Sequence, residues 1–194
     1  MDKKNVDKNV VVAVFNVESE AYKALTELRQ TASGATYLVS AAALVKKENG
    51  ACRLLDGFDT GADTSKGTAV GGIVGMVVGA LAGPIGMLLG LSTGSLIGMS
   101  SDASNAAYGA SMLEQIADKL DDDTVAIIAI TDEETEEALD GRLSAYDTVI
   151  ARFDAKAVAA EVDEAYKMQD EMARQAREKL REENAETLRQ NFTK

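Results

Sequence analysis

A chain of 194 residues suffices for one compact domain with a sizeable core and an appendage, and is short for two ordinary domains. Hydrophobic residues make up 46% and aromatics 5%, with no Trp, so the core is aliphatic. Net charge is −12, from 32 acidic against 20 basic side chains, so no nucleic-acid partner is expected, and the absence of His beside a lone Cys52 excludes an internal disulfide, a Cys/His zinc site and a histidine triad.

In chain order, the run from Met1 to Asn9 is too charged for a secretory signal, and the chain is expected to begin in the cytoplasm. Val10–Phe15 (VVVAVF) reads as a strand, followed by Ser19 and Glu20 and then Tyr22, Leu25 and Leu28 at helical spacing. Leu38–Val45 is again a strand; Lys46 to Gly50 make a turn, and Ala51–Leu55 completes a hairpin. Cys52 stands in an apolar-polar alternation and reads as a small packed residue.

Between Lys66 and Asp102 lie 35 residues without a charge. Glycines fall at Gly67, Gly71, Gly75, Gly79 and Gly83, then at Gly86, Gly90, Gly94 and Gly98, with Pro84 where the register breaks. A spacing of four places each series on one helical face, a flat stripe along which a second backbone can approach closely. Each Gly costs about 1 kcal/mol relative to Ala inside a solvated helix, so the ladder makes sense only if it is packed. Gly83 and Pro84 turn the chain back, giving a glycine-zipper helical hairpin over residues 67–101 whose glycines and Pro84 are the candidate packing and oligomerisation residues. The remaining faces, with Val70, Ile73, Val74, Met76, Val77, Val78 and Leu81 in the first half, call for lipid or a protein partner to cover them. Two readings stay open: a hairpin inserted in the cytoplasmic membrane with the bulk of the protein on the cytoplasmic face, or a hairpin buried between subunits of a cytoplasmic homo-oligomer. The scarcity of aromatic and basic flanks speaks against a full span.

Ala103–Leu120 reads as an amphipathic helix closed by Asp121, Asp122 and Asp123, Val125–Ile130 (VAIIAI) as a strand, Glu133–Leu143 as a helix and Thr148–Phe153 as the last strand. The acidic residues Asp132, Glu133, Glu134, Glu136 and Glu137, like the Asp121–Asp123 turn, read as helix-start and turn residues and not as a metal site. Strand, acidic helix start and apolar spacing thus occur twice. This predicts an α+β, ferredoxin-like domain built from residues 1–66 and 102–153, with helices on one face of the sheet and one extra strand. Residues 154–194, free of Pro and Gly, form a long charged helix with a thin stripe of Val158, Val162, Ala165, Met172, Ala176 and Leu180, expected to pack against the domain or a neighbouring copy and available to a protein partner.

VVVAVFNVESEAYKALTEL, the hairpin ending in KKENG, the glycine-rich apolar segment and then VAIIAI together resemble a bacterial family of predicted membrane proteins, that with domain of unknown function 1269, over about Asn9 to Phe153. The resemblance implies membrane association and stress or envelope roles, and no catalytic residue. The glycines fit neither a dinucleotide fingerprint nor a phosphate-binding loop, so no cofactor and no enzymatic activity are expected; a ligand-sensing module is the rival from another class.

Overall fold

The computed structural model of the chain describes residues 7–33, 36–49, 51–61, 72–82 and 112–192. Five strands form one antiparallel sheet: β1 (Asp7–Phe15), β2 (Tyr37–Glu48), β3 (Ala51–Asp59), β4 (Val125–Glu133) and β5 (Thr148–Asp154), in the order β3-β2-β4-β1-β5. Helix α1 (Glu18–Gln30) connects β1 to β2, and these two strands flank β4 in parallel. Helix α4 (Glu137–Leu143) connects β4 to β5, which flank β1 in the same way. Between β3 and β4 lie α2 (Gly72–Ala82) and α3 (Met112–Asp118), and α5 (Ala155–Phe192) follows β5. The protein is therefore a mixed α+β fold with a long C-terminal helix.

The expected strands are present, and each extends beyond the run that signalled it. The helix expected from Glu133 starts only at Glu137, because β4 keeps pairing with β1 as far as Asp7 opposite Glu133. At the other end of the sheet, Lys47 donates its amide to Thr124 O and accepts from Asp123 N, prolonging the β2–β4 contact past Lys46. Asn49 holds the β2–β3 turn with φ +54°, the left-handed conformation that Asn tolerates better than most side chains.

One face of the sheet packs on α1 and α4. Val11, Ala13, Phe15, Val39, Leu44, Ile127 and Ala129 meet Ala21, Ala24, Leu25 and Leu28 of α1 and Leu139 and Leu143 of α4. Tyr22, which the spacing places on this stripe, is 37% exposed; Ala21 and Ala24 take its place, since small side chains let the helix lie close to the sheet.

The opposite face is buried too. Val10, Val12, Ala41, Ala43, Val45, Ala126, Ile128 and Ile130 alternate with the first set along their strands and are all shielded from solvent. Helix α2 contacts β2, β3 and β4, and its Val74, Val77, Val78 and Leu81 are buried. A sheet with helices on one face only was expected; instead both faces are covered. The physical reason lies in β4, whose apolar run does not alternate with polar residues and must be shielded on both sides.

The chain divides into two compact units, one up to Val162 and a second from Asp163 to Lys194. The first contains the sheet and the start of α5, where Ala155, Val158 and Val162 are buried. The second is the remainder of α5, on which Met172 and Leu180 are exposed.

Candidate assembly surface

Helix α2 is the described part of the glycine-rich segment. Its residues divide into two sides. Val74, Val77, Val78 and Leu81 recur at intervals of three and four and are buried, which is the side an amphipathic helix lays on a core. Gly75 and Gly79 lie on a different side, about 130° round the helix at its roughly 100° per residue, and are half-buried. Gly72 and Ala82, at the two ends of that same side, are exposed. A methyl group added to Gly72 meets no atom within 4 Å, so packing of the described residues does not require glycine there.

The expectation that lipid or a partner must cover Val74, Val77, Val78 and Leu81 is corrected: the chain's own sheet covers them. The side poor in side chains is not the one laid on the sheet, and its Gly75 and Gly79 are half-buried. Gly75 and Gly79 are thus brought together on one surface; Gly67, Gly71, Gly83, Pro84, Gly86, Gly90, Gly94 and Gly98, with the second half of the expected hairpin and Ala103 to Ser111, lie outside the described residues. Among the described residues no helix is long and apolar enough to cross a membrane.

Helix α3 is short and is held at both ends by charges from elsewhere. The Glu161 carboxylate on α5 accepts from the amides of Met112 and Leu113, each at 3.0 Å, satisfying free N–H groups at the start of α3. At the other end Lys47 Nζ donates to Leu120 O at 2.6 Å and to Ala117 O at 3.5 Å, a cation on the carbonyls that end the helix. Neither contact was legible in the sequence, because Glu161 and Lys47 are each remote from α3 along the chain.

On the α1/α4 face a buried carboxylate meets a partly buried guanidinium. Arg152 of β5 donates to both oxygens of Glu133, Nε at 3.0 Å and Nη2 at 3.1 Å, and Nη2 also reaches Asp140 Oδ1 at 2.6 Å. Thr131 Oγ1 adds a hydrogen bond to Glu133 at 3.2 Å. Arg152 is opposed by desolvation, but the Glu133 and Asp140 carboxylates outweigh it and push the guanidinium above its ordinary range, so it stays charged. Glu133, expected at a helix start, is therefore the buried half of an ion pair on a strand. The sequence did carry a signal: Ile127, Ala129, Thr131 and Glu133 continue one face at strand period.

Of the other acids, Asp121 and Thr124 close a turn and Asp123 takes φ +67°. Among the described residues no group of three or more His, Cys, Asp or Glu is placed to hold a metal ion. Cys52 is buried opposite Lys47; burial pushes its thiol pKa up, and the lysine charge only partly offsets this.

Comparison with curated proteins gives no match, and comparison with solved structures gives none either. The match to a family model begins in the glycine-rich segment and runs through α2, α3, β4, α4 and β5 into α5. That match covers residues 68–167, more than half of the chain, and so the protein belongs to the family described as Protein of unknown function (DUF1269).

Proposed function

We propose that this is a non-enzymatic, self-assembling protein in which residues 67–101 supply the packing surface and associate the assembly with the cytoplasmic membrane, in an envelope or stress role. One observation carries the reading: α2 lays its bulky apolar side on the sheet, so its seating there does not use Gly75 and Gly79, which lie four apart on another side, the spacing that suits close approach of a second backbone. The nine glycines of the ladder repeat that spacing on both sides of Pro84, the pattern of a glycine-zipper hairpin. The sheet supports a ferredoxin-like reading, with β5-β1-β4-β2 as the four strands of the motif and β3 as an added edge strand.

A second reading is favoured by the burial of Val74, Val77 and Leu81. A helix seated this firmly on a sheet belongs to a cytoplasmic homo-oligomer, structural or ligand-sensing, with the glycine side between subunits and no bilayer involved. Fractionation of cells with a carbonate wash separates the two. Membrane association predicts that the protein stays in the pellet; release of all of it into the supernatant removes the membrane component and leaves the soluble assembly.

A further inference from the structure

We propose that the far part of α5 pairs antiparallel with the same stretch of a second copy of this chain. From Asp163 to Phe192 the helix continues for about 45 Å. Isolated helices derive little stability from propensity alone, and a helix this long in water is ordinarily supported by a partner along its apolar stripe. At about 100° per residue, Ala165, Gln169, Met172, Ala173, Ala176 and Leu180 share one side. Met172 and Leu180 are 57% and 58% exposed. Small residues in the middle of the stripe admit a close crossing of two helices, while a bilayer surface would call for bulkier apolar residues there.

Charge selects the occupant and its direction. Asp170 and Arg177, seven residues apart, lie along one edge of the stripe. Arg177 Nε donates to Ala173 O at 3.0 Å, which draws the guanidinium back over the turn beside that edge. In an antiparallel pair crossing near Ala173, like edges meet, and Asp170 of each copy stands level with Arg177 of the other, giving two reciprocal ion pairs. A parallel pair brings opposite edges together, and Arg177 then faces the edge that carries Lys179. The complementarity is therefore specific to a second copy running the other way. It involves neither Gly75 nor Gly79 and does not rest on the assembly surface proposed above.

The test uses full-length chains with Cys52→Ala, carrying either Gln169→Cys or Leu180→Cys, under mild oxidation. Antiparallel pairing predicts a disulfide-linked dimer when the two variants are mixed, at a yield at least about tenfold above either alone, because residues 169 and 180 of opposite chains lie within about 3 Å of level along the axis while two copies of either residue lie more than about 13 Å apart. Cross-linking of either variant alone, or none in the mixture, overturns the proposal. Adding Arg177→Asp to both chains should lower the mixed yield about tenfold, and Asp170→Arg together with Arg177→Asp should restore it. A yield indifferent to both changes overturns the assignment of the ion pairs. Repeating the mixture with Gly75→Leu and Gly79→Leu should leave the yield unchanged; its loss would show that the glycine surface, not α5, brings the chains together.

Discussion

Among the described residues Glu133 is the one buried carboxylate, and its stability rests on Arg152. Removing the guanidinium leaves a charge that is 3% exposed without its bidentate partner, and breaking such a pair ordinarily costs several kcal/mol. Arg152→Met is expected to lower stability by about 3 kcal/mol, while Glu133→Leu combined with Arg152→Met recovers most of the loss; urea unfolding of the three proteins checks both values. A smaller effect acts at Cys52. Its thiol pKa is raised in the folded protein, so the protonated form is favoured there; the associated stability is fully present below the free-thiol value of about 8.5 and declines as pH rises through the folded value. Aromatic disulfide reagents at pH 8 should therefore label Cys52 many times more slowly in the native protein than in urea. Equal rates would place the thiol in solvent. The sequence made Cys52 readable as a packed residue from its alternation, but not the partnership of Glu133 with Arg152, because acids near a helix start and acids at a strand end look alike until the strand's length is known.

At the scale of elements, the sheet was legible from periodicity and the covering of its second face was not. VVVAVF and VAIIAI announce strands, yet an unbroken apolar run also implies burial on both sides, and that implication locates a partner for α2 within the chain. The glycine spacing drew attention to the side of α2 without side chains; Val74, Val77, Val78 and Leu81, on the other side, decide where the helix sits. Leu81→Ala is thus expected to cost about 3 kcal/mol of folding stability in a chain free of lipid, measured by chemical denaturation. A cost near zero would mean that α2 does not depend on the sheet. The long C-terminal helix was readable from its composition throughout. Val158 and Val162 are indeed buried, whereas Met172 and Leu180 on the same stripe are exposed, a division no propensity scale conveys.

For the molecule as a whole, the picture is of a sheet whose central strands β2, β4 and β1 are buried on both faces, with α2 laid on it by the side opposite Gly75 and Gly79. Such a helix can be tightly fixed to its own domain and still offer a surface to another copy. Family membership over residues 68–167 takes in both that helix and the strand β4 it contacts. The proposed assembly rests on Gly75 and Gly79 forming a contact between chains. Light scattering of purified full-length protein, with and without Gly75→Leu and Gly79→Leu, tests it most directly. If the glycines join the chains, the variant has a lower mass at unchanged helix content by circular dichroism; an identical mass for the two proteins would rule the contact out.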